Sequence, residues 1–355
     1  MSPCRARLLT VVLACVTAGV LTASGGASAP PLTRLIGQSI MTGIDGQVPD
    51  SSVLARIRAG QIGGVILFGD NIAGTAQLEQ LIAALQGAAK AGGNPPLLIA
   101  VDQEGGTVKR LPDGPPDLSA AAMGTDGSAA KARSEGAATG AYLKRLGINV
   151  DLAPVLDTTN SPSNFLGTRA FSRDPHLNAL LGPAFLSGLQ QRGVAATAKH
   201  FPGLGTATAS TDTNHVLITT AKRDLDARLA PFKSAIAAGT QLVMVSNAGY
   251  TAFDPAGLPA VLSNPIVTGL LRQKLGFKGV VISDAMEAPG PSSRQGSAAT
   301  AIAAGVDVLL YVGESDSATA YSSLVAAERN GTLSAAAVRS SAARIASLKD
   351  WIARH

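Results

Sequence analysis

The sequence predicts a single-domain α/β protein, a (β/α)8 barrel of the TIM type, and two observations carry this prediction. Short apolar runs suited to buried parallel strands alternate with longer amphipathic runs typical of helices. Eight such units follow residue 31, and no linker or change in composition divides them. One barrel of roughly 250 residues or more would fill most of the 355-residue chain. Eight units favour a closed barrel, although an open doubly wound sheet would show the same alternation.

The predicted strands are short and nearly all apolar, as expected when both faces of a parallel sheet are buried. They cover residues 39–42, 63–68, 97–101, 148–153, 194–199, 242–246, 279–283 and 306–311. Helix-like runs cover residues 75–91, 129–146, 176–192, 224–238, 264–275, 297–304 and 315–329. Asn264 followed by Pro265 is a start signal for one of these helices, and Asp224 and Asp226 favour the start of another.

Residues 1–29 have the layout of an export signal. Arg5 and Arg7 precede an apolar run that extends from residue 8 to about residue 23, and Ala27-Ser28-Ala29 resembles a cleavage site. We therefore expect residues 1–29 to be a signal peptide, residues 30–355 to form the barrel, and the protein to be exported. A retained membrane anchor is one alternative. A lipoprotein signal is another, in which a lipid would be attached to Cys15.

Composition argues against several other classes of protein. Charged residues make up 15% of the chain, too few for a disordered or coiled-coil protein. Both cysteines, Cys4 and Cys15, lie in the signal segment, so we expect no disulfide. No basic run is interleaved with aromatic residues, which argues against a nucleic-acid partner. The histidines show no metal-binding spacing, so we expect neither a metal ion nor another cofactor.

Polar residues concentrate at the carboxyl ends of the predicted strands, where parallel barrels carry their active sites. In chain order these strand ends carry Asp102-Gln103-Glu104, then Asp151 and Asp157, then Lys199-His200, Ser246-Asn247 and Ser283-Asp284. Because the carboxyl ends of the strands meet at one face of a closed barrel, we expect these side chains to share a pocket.

Each candidate residue has a chemical role and a structural alternative. Asp284 could attack an anomeric carbon from the barrel rim, or it could cap a helix. Lys199 and His200 could donate hydrogen bonds to sugar hydroxyls, unless His200 is a satisfied core histidine. Arg110 and Arg169 could clamp a sugar through their guanidinium forks, or they could be ordinary surface arginines.

The polar run at residues 210–215 predicts a loop that carries Asp212 and His215. An aspartate near a histidine can orient the imidazole and keep it protonated as a proton donor. The alternative is a solvated loop without a catalytic role.

Three segments resemble glycoside hydrolase family 3. Residues 101–111, VDQEGGTVKRL, are similar to the sugar-binding strand of that family, and residues 276–284, GFKGVVISD, are similar to its nucleophile segment. Residues 199–205, KHFPGLG, resemble the signature of its β-N-acetylglucosaminidase branch. The resemblance runs in collinear order through nearly the whole chain after the signal segment.

The resemblance implies a barrel fold and a retaining mechanism, with Asp284 as the nucleophile. The residues that it implies for holding the terminal sugar are Asp102, Arg110, Arg169, Lys199 and His200. β-Glucosidases of the family usually carry tryptophan after the nucleophile and a second domain. This chain has Ala285-Met286, and the residues after its signal segment leave no room for that domain. Both details favour the single-domain glucosaminidase branch.

The candidate proton donor departs from the pattern of that branch. The mobile loop there typically reads Asp-Ser-His, with histidine as acid/base and aspartate supporting it. Here it reads Asp212-Thr213-Asn214-His215, so the histidine comes one residue late. Either His215 still reaches the glycosidic oxygen or Asp212 acts in another way. After strand six the branch often has histidine, where this chain has Asn247.

We therefore expect an exported exo-β-N-acetylglucosaminidase that acts on cell-wall or chitin-derived oligosaccharides. Phosphorolysis is one alternative, because a histidine donor opposes an incoming phosphate less than a carboxylate does. Broad β-glycosidase activity is another. A non-catalytic sugar-binding protein on a decayed barrel is a third, suggested by the altered loop and by Asn247.

Overall fold

The computed structural model describes Met1 and residues 30–355. The signal segment, its cleavage site and the candidate lipid site at Cys15 lie outside the described residues, so these expectations stay predictions. Residues 31–355 form one compact unit. Within residues 30–355, none of the helices combines the length and the apolar character needed to cross a bilayer.

Eight parallel strands form a closed barrel, which confirms the predicted fold. In chain order they are β1 (Ile40–Thr42), β2 (Gly64–Leu67), β3 (Leu98–Val101), β4 (Val150–Asp151), β5 (Ala195–Phe201), β6 (Leu242–Val245), β7 (Val280–Ser283) and β8 (Leu309–Tyr311). Each strand pairs with the next from β1 to β7, and β1 pairs with β8. A parallel bridge between Ile282 and Val308 links β7 to the segment entering β8. This bridge closes the ring and rules out the open sheet.

Helices surround the barrel at most of the predicted positions. Those expected from the apolar pattern are Thr75–Ala91, Ala129–Arg145, Pro175–Gln190, Ser297–Ala304 and Glu314–Arg329. The run 224–238 is instead two helices, Lys222–Arg228 and Ala230–Ala237, which meet at Leu229. Pro231 explains the break, since it has no N–H with which to continue the first helix. Pro265–Lys274 is a π-helix.

The apolar pattern did not predict several other helices. They are Leu32–Gln38, Ser51–Arg58, Ala120–Asp126, Pro289–Ser292 and the C-terminal Ala335–Arg354. Four of the five are shorter than the window over which helical periodicity can be read. The C-terminal helix is long, but its sequence is dominated by alanine, serine and arginine, which leaves only a sparse apolar stripe.

Successive strand residues alternate between two apolar layers, as the pleat of a strand requires. Ile40 and Val65 face the surrounding helices, whereas Met41 and Ile66 face the barrel interior. Ile345 and Leu348 of the C-terminal helix belong to the interior cluster. The helix thus covers the amino-terminal end of the barrel, and its Lys349 donates to the carbonyl of Gly63 just before β2. The interior opens to a cavity at the opposite, carboxyl end.

Candidate active site

A cavity of about 430 Å³ opens at the carboxyl ends of the barrel strands. It collects seven of the eight side chains that the sequence singled out, namely Asp102, Arg110, Arg169, Lys199, His200, Asp212 and Asp284. The eighth, His215, does not line it. The tips of β3, β5 and β7 therefore face a common pocket.

One wall of the cavity is an alternating chain of charges. The Lys199 Nζ lies 2.6 Å from Oδ1 of Asp102 and 2.6 Å from Oε1 of Glu104. The guanidinium of Arg169 forks onto the same Glu104, with Nε to Oε2 at 2.8 Å and Nη2 to Oε1 at 2.9 Å. At the other end of this charge chain, Nη2 of Arg110 lies 3.5 Å from Oδ2 of Asp102. Three cations thus hold two carboxylates in fixed orientations.

Mutual attraction keeps these buried groups ionised. Burial by itself would raise the pKa of Asp102 and of Glu104, but Lys199 and the neighbouring arginines together outweigh it and hold both pKa values below their ordinary range. Burial would likewise lower the pKa of Lys199, but the two carboxylates raise it. Side chains that stay charged can both donate hydrogen bonds to sugar hydroxyls and accept them, and they need not change position to do so.

An irregularity in β5 explains how two adjacent residues reach the same cavity. In this strand Ala198 pairs with Val243 and Phe201 pairs with Val245, so three steps in β5 match two steps in β6. The extra residue breaks the usual alternation of faces. Lys199 and His200 therefore both line the cavity, although neighbours in a regular strand would face opposite ways.

His200 is oriented from behind by a buried carboxylate. Its Nδ1 lies 2.7 Å from Oδ2 of Asp157, so we assign the proton to Nδ1 and leave Nε2 for the cavity. Asp157 is held in turn by the backbone N–H groups of His200 and Leu204, at 3.2 and 2.6 Å. Within residues 30–355, only Nδ1 of the His200 ring is engaged in a hydrogen bond with the protein, so Nε2 remains for a ligand.

Asp284 lies just after β7 and stands apart from the charge chain. Its Oδ1 accepts a hydrogen bond from the N–H of Ala285 at 2.8 Å, and the next helix begins only after Ala288, so Asp284 does not cap it. Burial raises the pKa of Asp284, His200 offsets part of this increase, and the charge of Asp212 adds to it. Asn247 donates from Nδ2 to the carbonyl of Ala285 at 2.7 Å and so braces the same turn.

The loop after β5 brings Asp212 to the cavity and turns His215 away. The Asp212 carboxylate accepts from Oγ of Ser210 at 3.1 Å rather than from His215, whose side chain is exposed. Val216 and Ile218 are buried, and alternation along this short extended segment directs His215 outward. The expected pairing of Asp212 with His215 is therefore absent from this structure, and the one-residue shift in the loop is the physical reason.

Four further residues belong to this site without having been singled out for a role. Glu104 and Asp157 were visible as polar strand ends, but their partners were not. Phe165 and Glu287 line the cavity from loops after β4 and β7, and nothing in the local sequence marks them. Among the described residues, no group of three or more His, Cys, Asp or Glu side chains could hold a metal ion.

A closed parallel barrel with charged, fixed side chains around a cavity at its carboxyl end has the architecture of a barrel enzyme. Residues 35–348 match the family described as "Glycosyl hydrolase family 3 N terminal domain". The chain therefore belongs to glycoside hydrolase family 3, as the resemblance indicated, and it is a glycoside hydrolase.

Individual relatives agree with this assignment. A β-hexosaminidase of Nitrosomonas eutropha is 37% identical over 268 residues, which cover 72% of this chain and 75% of that protein. A protein of Arthroderma benhamiae named "Uncharacterized secreted glycosyl hydrolase" is 36% identical over 330 residues, 88% of this chain and 92% of that one.

Solved structures show the same barrel. A family 3 β-N-acetylglucosaminidase from a Paenibacillus species superposes with a TM-score of 0.88 at 37% identity, over 92% of this chain and 63% of that chain. This chain therefore spans less than two thirds of the Paenibacillus protein. A β-N-acetylhexosaminidase from Beutenbergia cavernae superposes with a TM-score of 0.82 at 35% identity, over 91% of this chain and 100% of that chain.

Proposed function

We propose that this glycoside hydrolase releases terminal β-linked N-acetylglucosamine by a retaining, two-step mechanism with Asp284 as the nucleophile. The observation that carries the proposal is the position of Asp284, a carboxylate in the same cavity as the charge chain of Asp102, Lys199 and Glu104. Relatives named β-hexosaminidase and β-N-acetylglucosaminidase support the choice of an N-acetylated sugar.

The terminal sugar would lie against the charge chain. Asp102 accepts hydrogen bonds from hydroxyls, while Lys199, Arg110 and Arg169 donate to them, and Nε2 of His200 adds a further polar contact. Because the charges of Asp102, Glu104, Lys199, Arg110 and Arg169 are already paired with one another, the sugar need not neutralise any of them. Its hydroxyls complete a polar shell whose geometry is set before binding.

In the first step Asp284 attacks the anomeric carbon and the bond from that carbon to the glycosidic oxygen breaks. Oδ1 of Asp284 is engaged by the N–H of Ala285, so we assign the attack to Oδ2. The leaving oxygen takes a proton from Asp212, which lines the cavity, whereas the exposed His215 does not. This step produces a covalent glycosyl-enzyme and the free leaving group.

In the second step a water molecule attacks the same anomeric carbon. Asp212, now ionised, takes a proton from the water, and the bond between the sugar and Asp284 breaks. Two inversions give net retention of the β configuration. Export of the protein, which the name of the Arthroderma relative supports, would place the activity on cell-wall fragments or chitin-derived oligosaccharides.

Substitution of the nucleophile tests the proposal. An aryl N-acetyl-β-glucosaminide and the matching aryl β-glucoside would be incubated with the wild type, Asp284→Asn and, as a control, Asp226→Asn on an exposed helix. We expect turnover of the N-acetylated substrate by the wild type and the control, and a loss of at least about 10³-fold in Asp284→Asn. The absence of wild-type turnover would support the sugar-binding alternative.

The same assay separates the remaining alternatives. Equal rates on the plain glucoside would overturn the N-acetyl preference. Accumulation of a sugar 1-phosphate when inorganic phosphate is added would show phosphorolysis, because phosphate would then replace water in the second step. We expect free N-acetylglucosamine in both buffers.

A further inference from the structure

The mouth of the cavity carries apolar side chains that the proposed chemistry does not use. Phe165, on the loop after β4, is 37% exposed, and Val312, just after β8, is 49% exposed. Both line the catalytic cavity. Among the phenylalanine, tyrosine and tryptophan residues of positions 30–355, only Phe165 is exposed. Exposed apolar groups around a cavity are a common mark of a binding surface.

These two side chains lie on opposite sides of the barrel. The ring runs from β1 to β8, so β4 and β8 are four strands apart in a ring of eight and face each other across the axis. A group that passes out of the cavity would lie between Phe165 and Val312. The charged side chains that would hold the transferred sugar lie deeper: Lys199 on β5 is buried, and Asp102 just after β3 is largely buried.

The loop that carries Phe165 is held in place. Oδ1 of Asn164 accepts from the N–H of Leu166 at 3.0 Å, and the carbonyl of Asn164 accepts from the N–H of Gly167 at 2.9 Å. The N–H of Asn160 reaches the carbonyl of Gly205 at 3.0 Å on the neighbouring loop. A fixed loop lowers the ordering cost of contacting a ligand.

The charge at the mouth of the cavity also bears on which leaving groups can bind there. The three cations of the cavity wall are all paired with Asp102 or Glu104. Glu287 also lines the cavity, and its Oε1 accepts from the backbone N–H groups of Val312 and Gly313 at 2.7 and 2.9 Å rather than pairing with a described lysine or arginine. The uncompensated charge beside Val312 is therefore negative, and it would repel an anionic leaving group.

We propose that Phe165 and Val312 form a leaving-group site that selects a neutral pyranoside ring over an anionic one. The apolar face of such a ring, made of C–H groups, would pack on Phe165, while its hydroxyls stay in water. This inference rests on the proposed function. The expected substrates are neutral chitin-type oligosaccharides rather than fragments whose second sugar bears a carboxylate. Phe165 and Val312 are thus specificity-determining residues and take no part in bond making.

Three substrates with one transferred sugar test this. N-acetyl-β-glucosaminyl fluoride has a leaving group too small to touch Phe165, N,N′-diacetylchitobiose has a neutral leaving sugar, and N-acetylglucosaminyl-β-N-acetylmuramic acid has an anionic one. We expect Phe165→Ala to lower kcat/KM for diacetylchitobiose about tenfold and to change kcat/KM for the glycosyl fluoride by no more than about twofold. Leu180→Ala, which removes another exposed apolar side chain away from the cavity, should change neither.

The outcomes separate this inference from the proposed function. If the wild type does not cleave the fluoride, the proposed glycosidase activity is wrong, whatever Phe165 does. If the fluoride is cleaved and Phe165→Ala affects both substrates equally, or neither, the leaving-group site is overturned. The wild type should also prefer diacetylchitobiose to the muramic disaccharide by about tenfold or more. The reverse preference would refute the argument from charge.

Discussion

The Nδ1 atom of His200 lies 2.7 Å from Oδ2 of Asp157, a carboxylate with no exposure to solvent. This contact fixes which nitrogen of His200 faces the cavity, and the same carboxylate holds the backbone of Leu204 where the next loop begins. One buried aspartate thus orients a sugar-binding side chain and anchors the loop that continues to Asp212.

The first prediction concerns this positioning contact. In Asp157→Asn the amide group cannot accept all three N–H donors, so His200 should lose its fixed tautomer. We expect KM to rise about 10- to 100-fold with a smaller change in kcat, because a charged hydrogen bond is worth about 1.5–3 kcal/mol. The downfield proton signal of the Nδ1–H in nuclear magnetic resonance should disappear as well. An unchanged KM with the signal retained would show that Asp157 serves the fold alone.

The second prediction concerns the proton donor. Asp212→Ala should slow an alkyl or sugar leaving group far more than a dinitrophenyl leaving group, which needs no protonation. Added azide should restore the rate of that variant and yield a β-glycosyl azide, since the anion can attack the covalent intermediate without a base. We expect His215→Ala to keep nearly full activity on both kinds of substrate. A leaving-group-dependent loss in His215→Ala instead would show that the loop moves to bring His215 in.

The third prediction concerns the acid limb of the pH profile. Burial raises the pKa of Asp284, and a nucleophile must be ionised, so kcat/KM should fall with decreasing pH at a higher pH than for an ordinary aspartate. The glycosyl fluoride is the substrate of choice, because loss of fluoride ion needs little acid assistance. Asp226→Asn is the control and should give the same profile as the wild type. An acid limb at the pH expected for an ordinary aspartate would contradict the assignment.

The fourth prediction concerns a buried ion cluster behind β7. Asp307 accepts from Nη2 of Arg272 at 2.7 Å, from Nε of Arg344 at 2.8 Å and from the N–H of Val281 at 2.8 Å. Asp307→Ala would leave two arginines unpaired, and we expect the free energy of unfolding to fall by about 3–5 kcal/mol. Asp226→Ala, which breaks the exposed pair with Lys222, should cost about 0.5 kcal/mol or less. Urea denaturation distinguishes the two, and similar losses would contradict the expectation.

The fifth prediction concerns Lys349, which is buried beneath the barrel. Its Nζ donates to Oε1 of Gln38 at 2.7 Å and to the carbonyl of Gly63, and burial lowers its pKa to about 7. Between about pH 7 and pH 10 the unfolded chain holds a proton that the folded chain does not. Stability should therefore rise with pH in this window, by on the order of 4 kcal/mol relative to Lys349→Met. The exposed Lys233→Met is the control, and parallel pH curves for wild type and Lys349→Met would refute the prediction.

Much of the fold was predictable because it follows local rules. Each of the eight strands lies within or at the end of a short, mainly apolar run, and such runs are what a strand buried on both faces requires. The π-helical winding of Pro265–Lys274 and the break at Leu229 were not predictable from apolar periodicity. They depend on how one turn of helix meets its neighbours, and the apolar spacing does not record this.

From the order of residues alone came the eight βα units and the polar groups that follow the strands, because strand burial and chain order are local properties. Closure of the ring and the contacts of the site came from the fold: Lys199 between two carboxylates, His200 against Asp157, Phe165 at the mouth and His215 outside it. Such contacts join residues far apart in the chain, and local patterns do not record them. A shift of one residue, as in β5 or in the loop at 210–215, reverses the face on which a side chain lies.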